Sequence, residues 1–146
     1  MKGKYFRPLA FLILLVLTFI SQYNVGFSVV PGWHSTIYPT KYIIEMSIII
    51  LSLLLAICGY TFLSFKKLSL DPRIFLLHFL LTIPIIIALL YPFQNIEMTS
   101  LSQDEIEKTL SQRELTEYVL ISVFIVGQLI FWAFFTKRVI LKPSIQ

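Results

Sequence analysis

Long apolar runs separated by short polar segments dominate this chain. Four runs are candidate membrane spans, at about residues 8–30, 42–65, 73–91 and 115–136. Each comes close to the roughly 20 residues that a helix needs to cross a hydrocarbon core, and none shows the period-two alternation of a barrel strand. The pattern predicts an all-α, polytopic membrane protein, in which a single bundle of four transmembrane helices occupies residues 1–146.

The composition supports the membrane assignment. Hydrophobic residues make up 57% of the 146 positions, whereas about 45–50% is typical of soluble domains. Helices satisfy their own backbone hydrogen bonds and can therefore cross lipid. The lipid bilayer is thus the first expected partner.

The first apolar run admits two interpretations. Lys2, Lys4 and Arg7 precede it, and polar residues interrupt it at 21–24. A basic start followed by a short apolar stretch is also typical of a secretory signal peptide. Since no small-x-small cleavage site follows, the sequence favours an uncleaved first helix.

The basic residues predict the orientation of the bundle. Nine of the twelve fall on one side of the predicted spans, and three fall on the other. The nine are Lys2, Lys4, Arg7, Lys66, Lys67, Arg73, Lys137, Arg138 and Lys142, and the three are Lys41, Lys108 and Arg113. The positive-inside rule then predicts that both termini are cytoplasmic. Because these residues flank spans, the net charge of +4 indicates topology and predicts no nucleic-acid partner.

Helix-capping patterns mark two connections. Asp71 stands directly before a proline and is expected to cap the third helix. Ser102 with Glu105, and Ser111 with Glu114, form two capping boxes between the third and fourth runs. They predict a short amphipathic helix on the outer surface, followed by a new start for the fourth span. The acidic face of that short helix is either solvated or a docking surface for a partner.

Signatures of catalysis and cofactor binding are sparse. The single cysteine, Cys58, lies in the second span, and the chain contains no glycine-rich phosphate loop and no GxSxG sequence. His34 and His78 fall toward opposite faces of the predicted membrane, which does not suit a shared haem. We predict no catalytic residue, no metal site and no cofactor of the chain's own, and we expect that the chain is not catalytic by itself.

Polar residues inside the spans are the best functional candidates, because such groups are costly in lipid and usually face a cavity or a partner. Glu45 follows Lys41 by about one helical turn, and a local ion pair near the outer surface is the simpler interpretation. His78 and Gln128 are expected to form hydrogen bonds between helices.

Residues 29–42, VVPGWHSTIYPTKY, form the predicted outer connection between the first two spans. Trp33 suits the aromatic belt at a membrane interface, and Pro39 can set up the second helix. His34 and the two hydroxyl residues after it supply three successive hydrogen-bonding side chains, which an interfacial anchor does not require. The pattern leaves an interfacial anchor and a ligand-binding loop both open.

The nine residues PGWHSTIYP at 31–39, with Tyr42 beyond them, resemble a stretch in the quinol-handling membrane subunits of the polysulfide reductase (NrfD-like) family. That family includes the large membrane subunits of alternative complex III in bacterial respiratory chains. There the segment lies near the outer face, close to the bound quinol. The resemblance implies that His34 is a hydrogen-bond and proton partner of a quinol. Family members have about eight or more spans, so the chain resembles one helical bundle of such a subunit.

Two functional hypotheses follow. In the first, the chain is a small accessory subunit of a respiratory electron-transfer complex in the bacterial inner (cell) membrane. It packs against larger redox subunits and lines a quinone pocket with Trp33, His34 and Glu45, the quinone being shared with a partner. In the second, it is a stand-alone four-helix membrane protein that acts as a binding or assembly module without a redox role.

Overall fold

The computed structural model describes residues 5–24, 40–68, 71–90 and 102–140. These residues form four α-helices, α1 Phe6–Asn24, α2 Thr40–Phe65, α3 Pro72–Leu90 and α4 Gln103–Ile140. Helices α2, α3 and α4 are long and apolar enough to cross a membrane, and α1 contains a shorter apolar stretch, Phe6–Ser21. The predicted all-α class is confirmed, and a polytopic membrane bundle is consistent with it.

The helices close into a ring. Helix α3 packs along α4, and α1 packs along α2; α1 also packs on α3, while α2 makes a looser contact with α4. As a result, α2 and α3 lie diagonally across the bundle although they follow each other in the chain. The core contains large apolar side chains such as Leu53, Ile86 and Phe124. Outward faces carry exposed Leu, Ile and Phe side chains, as suits contact with lipid tails.

The second and third predicted spans agree with α2 and α3, apart from their ends. Helix α2 begins two residues before the predicted start and ends at the predicted Phe65, and α3 is displaced by one residue. Helix α1 begins two residues before Pro8, because a proline in the first turn lacks only an N–H that has no helical partner. The predicted end of the first span, at residue 30, lies outside the described residues.

Helix α2 ends in a Schellman motif. The N–H of Leu68 donates to the carbonyl of Leu63 at 2.9 Å, and the N–H of Lys67 donates to the carbonyl of Ser64 at 3.3 Å. Lys67 has a left-handed φ of 53°, a conformation that glycine usually supplies at this position. These bonds satisfy the last carbonyl groups and end the helix.

Asp71 caps α3, as predicted. Its carboxylate accepts a hydrogen bond from the backbone N–H of Arg73 at 2.9 Å, and its carbonyl accepts one from Ile74 at 3.1 Å. Pro72 occupies the first helical position, where its missing N–H costs no hydrogen bond. The short connection between α2 and α3 is therefore defined at both ends.

The prediction of a separate outer helix before the fourth span is wrong. Helix α4 runs without interruption for 38 residues. The Ser102 box is used, since the backbone N–H and the hydroxyl of Ser102 bond the Glu105 carboxylate at 2.9 and 2.8 Å. Ser111, in contrast, lies inside the helix. No glycine or proline occurs from residue 103 to residue 126, so nothing breaks the helix there.

The length of α4 has a consequence at the membrane. At about 1.5 Å per residue its 38 residues measure about 57 Å, whereas a hydrocarbon core is about 30 Å thick. The first part of α4 therefore projects beyond the apolar part. We call residues 103–114, which are mostly exposed and polar, the outer extension, after the orientation that the basic residues predict.

Candidate functional site

One ring from each helix meets near the connection between α2 and α3. Tyr60 lies five residues before the end of α2, and His78 lies six residues after the start of α3, so the two residues have similar depth. The Tyr60 hydroxyl oxygen and Nδ1 of His78 are 3.0 Å apart, and both side chains are buried. The predicted hydrogen bond from His78 to another helix is confirmed.

Phe11 and Phe131 enclose this pair. Their ring centroids lie 4.6 and 4.8 Å from that of His78, with interplanar angles of 29° and 14°. The same rings lie 5.2 and 4.6 Å from Tyr60. We call Phe11, Tyr60, His78 and Phe131 the four-ring layer. Each such ring pair contributes about 0.5–1.5 kcal/mol beyond the area it buries, so the layer holds all four helices together.

Three polar atoms beside the layer have no protein partner. Nε2 of His78 and both amide atoms of Gln128, Nε2 and Oε1, are buried and form no hydrogen bond within the described part of the chain. Gln128 is close to the imidazole, but the pair falls short of hydrogen-bond geometry. The predicted hydrogen bond of Gln128 between helices is therefore not formed directly in this structure.

Two glycines allow the helices to approach closely around the layer. A Cβ atom at Gly59 would lie 2.8 Å from the ring of Phe131. A Cβ atom at Gly127 would lie 2.9 Å from Cβ of Leu81 and 3.7 Å from Cδ2 of His78. A side chain larger than hydrogen at Gly127 would push α4 away from α3, whereas one at Gly59 would first displace the Phe131 ring.

At the opposite end of the bundle, Lys41 connects α2 to α4. Its Nζ atom lies 3.8 Å from a Glu45 oxygen and 3.4 Å from a Glu117 oxygen, and Arg113 Nε lies 3.4 Å from the other Glu117 oxygen. The Lys41 ammonium also lies 5.2 Å from the centre of the Tyr118 ring. We call Lys41, Glu45, Arg113 and Glu117 the outer ion pairs. The predicted Lys41–Glu45 pair is confirmed, and the sequence did not indicate the link to α4.

The structure places one of the three predicted quinone-binding residues. Glu45 lies about one turn into α2, with 28% of its side chain exposed. Trp33 and His34 lie outside the described residues. A common pocket for Trp33, His34 and Glu45 therefore stays a prediction.

Sequence reasoning identified His78 and Gln128 but missed the rings that enclose them. Tyr60 could have been found, because it and His78 stand at nearly equal distances from the connection at residues 66–71. Phe11 and Phe131 carry no comparable pattern among the 13 phenylalanines of the chain. Only the packing of α1 and α4 identifies them.

Comparison with known proteins adds no identification. No protein-family model, curated protein or solved structure matches the chain. Within residues 5–24, 40–68, 71–90 and 102–140, no three His, Cys, Asp or Glu side chains form a group that could hold a metal ion. The bundle therefore offers two polar regions as candidate functional sites, the four-ring layer and the outer ion pairs.

Proposed function

We propose that this chain is a four-span membrane subunit, with both termini in the cytoplasm, that assembles with a partner protein through its outer end. The observation that carries this proposal is the outer extension of α4. Residues 103–114 continue the helix for about 18 Å beyond the apolar part. A projecting polar helix is not needed to cross the bilayer, whereas it suits contact with a protein outside it.

The outer extension is held in position at both of its ends. Ser102 caps its first turn, and Lys41 of α2 binds Glu117 just beyond its last residue. A helix fixed in this way loses little conformational freedom when it binds a partner. Leu110, of which 46% is exposed, supplies an apolar contact among charges of both signs. An apolar centre within a polar rim is the usual composition of a protein interface.

Cysteine labelling tests the topology. In a Cys58→Ser background, Ser102→Cys should react with an impermeant thiol reagent added outside intact cells, and Ser144→Cys should react only after lysis. The opposite result would invert the bundle and place the outer extension in the cytoplasm.

Site-specific photo-crosslinking tests the interface. A photoreactive residue at Leu110 should yield a crosslinked protein adduct in cells. The matched control is Leu55, which is exposed to a similar degree, 44% against 46%, but lies on the apolar helix α2. Crosslinks at both sites with the same frequency, or at neither, would contradict a partner bound by the outer extension.

The more specific form of the proposal is an accessory subunit of a bacterial respiratory complex that shares a quinone with larger redox subunits. Its support is the resemblance of residues 31–39 to quinol-handling subunits and the position of Glu45 near the start of α2, a few residues further along the chain. Purification in gentle detergent should then recover haem- or iron–sulfur-containing subunits. In that complex His34→Phe should keep assembly and weaken binding of a quinol analogue, whereas Trp33→Ala should mainly lower the protein level.

A stand-alone membrane protein that acts as a binding or assembly module is the alternative. The closed ring of helix contacts supports it, because the four helices bury His78 and Gln128 without help from another chain. Under this alternative the purified protein has no visible absorbance, and His34→Phe leaves quinol-analogue binding unchanged.

A further inference from the structure

We infer that the interface between α3 and α4 contains a buried binding site for a single water molecule, formed by Nε2 of His78 and the side-chain amide of Gln128. The proposal is independent of the assembly function, because it concerns the interior of the bundle. It rests on three observations, namely the fixed orientation of the imidazole, the unpaired polar atoms and the tight packing around them.

The orientation of the His78 ring is fixed from three directions. Tyr60 bonds Nδ1, and Phe11 and Phe131 stack against the ring. The Cδ2 edge faces α4, since a Cβ atom at Gly127 would lie 3.7 Å from Cδ2. Nε2 is bonded to Cδ2 in the imidazole, so it also points toward α4, where Gln128 follows Gly127.

The polar atoms at this point require a partner. His78 is 0% exposed and Gln128 is 8% exposed, and three of their side-chain atoms form no hydrogen bond with the described residues. A buried polar group without a hydrogen bond costs about 1–3 kcal/mol. Buried water molecules typically make about three hydrogen bonds to groups of this kind. One water can bridge Nε2 of His78 and one amide atom of Gln128.

Water fits the hydrogen-bonding capacity of both possible imidazole tautomers. If the Tyr60 hydroxyl donates to Nδ1, then Nε2 carries the proton and donates to the water, which donates to Oε1 of Gln128. If Nδ1 donates to Tyr60, the water donates to Nε2 and accepts from the Gln128 amide. A ligand that can only donate hydrogen bonds, or only accept them, would fit just one of the two imidazole tautomers.

Packing limits the size of the ligand. Phe11 and Phe131 are 0% exposed, and Gly127 brings α4 so close to Leu81 that even a Cβ atom would be 2.9 Å away. A larger polar ligand would need to separate α3 from α4. The result is a neutral hydrogen-bonded chain from Tyr60 through His78 and the water to Gln128, which connects α2, α3 and α4.

Solid-state NMR of the protein in lipid bilayers tests the site. A His34→Gln variant leaves His78 as the only histidine, so its imidazole signals need no further assignment. Magnetisation transferred from water should reach the His78 ring, whereas the buried methyl groups of Ile86, 2% exposed, should receive much less. Equal transfer to both would overturn the proposal, and this comparison requires no substitution inside the site.

A second pair of variants tests the part of Gln128. In the single-histidine background, Gln128→Leu should abolish the water transfer to the His78 ring. The matched control, Gln112→Leu, makes the same change at an exposed position of α4 and should keep the transfer. If the transfer survives in a folded Gln128→Leu protein, the water does not bind Gln128 and the proposed site is wrong.

Discussion

The four-ring layer and the outer ion pairs both connect α2 to α4, but they use different physical means. The layer contains neutral polar groups, is buried, and fixes each ring against the next. The outer ion pairs contain full charges, and the side chains of Lys41 and Glu117 are 52% and 40% exposed. Water screens the outer charges, whereas bulk solvent does not reach the inner groups to replace a lost contact. Substitutions in the four-ring layer should therefore lower the stability of the bundle strongly, and substitutions in the outer ion pairs should lower it only weakly.

The largest effect is expected for His78→Ala. This change removes two stacking contacts, leaves the Tyr60 hydroxyl unpaired, and opens a cavity at the centre of the layer. We expect a loss of about 2–4 kcal/mol in the free energy of unfolding. Reversible unfolding in mixed detergent micelles measures it.

His78→Phe separates stacking from hydrogen bonding. It keeps a ring between Phe11 and Phe131 and should lose clearly less stability than His78→Ala. An equal loss in both variants would show that the hydrogen bond to Tyr60, and not the stacking, holds the layer together.

A smaller loss is expected for Gly127→Ala. The new Cβ atom would meet Cβ of Leu81, which cannot move without its helix, so we expect a loss of about 1–2 kcal/mol. Gly59→Ala is the comparison, because its Cβ atom would meet the far edge of the Phe131 ring, which has more freedom to shift than a Cβ atom attached to its helix. The same unfolding assay applies, and a greater loss at Gly59 would reverse this ranking of the two helix contacts.

These residues also show what the sequence can and cannot predict. Continuous apolar runs and the Asp71 cap predicted the helices, because span length and capping are local properties. The boundary at Ser111 was wrong, because a capping box inside a strong helix-forming segment does not stop the helix. The partners of His78 depend on which faces of α1 and α4 meet, and that is decided by packing over the whole bundle.

The outer ion pairs should respond weakly to substitution. Lys41→Met removes the ion pairs to Glu45 and Glu117, and exposed pairs of this kind contribute about 0.2–1 kcal/mol. The loss should shrink as salt is added, because salt screens exposed charges. Lys108→Met is the control, since Lys108 lies on the outer extension without an ion pair to a described residue. A loss in Lys41→Met as large as that of His78→Ala, or one independent of salt, would contradict the contrast between the two ends.

The smallest effect is expected at the start of α4, where Ser102→Ala should loosen the first turn and leave the rest of the bundle unchanged. The backbone N–H and the hydroxyl of Ser102 both donate to the Glu105 carboxyl, a fully exposed group on the outer extension, and lower its pKa; Ser102→Ala removes only the hydroxyl bond. Because the folded pKa is lowered, this stabilisation is present above the ordinary glutamate pKa and is lost as the pH falls through the lowered value. Hydrogen exchange of the amides at residues 106–109, which donate the first backbone hydrogen bonds of the helix, should show less protection in Ser102→Ala at neutral pH and little difference from the original protein in acid, after correction for intrinsic rates. Ser111→Ala, in the middle of the helix, should leave hydrogen exchange near residue 111 unchanged. A local loss of protection in this variant would show that Ser111 caps a new helix, as the sequence predicted. The rigid outer extension would then be shorter than the structure indicates.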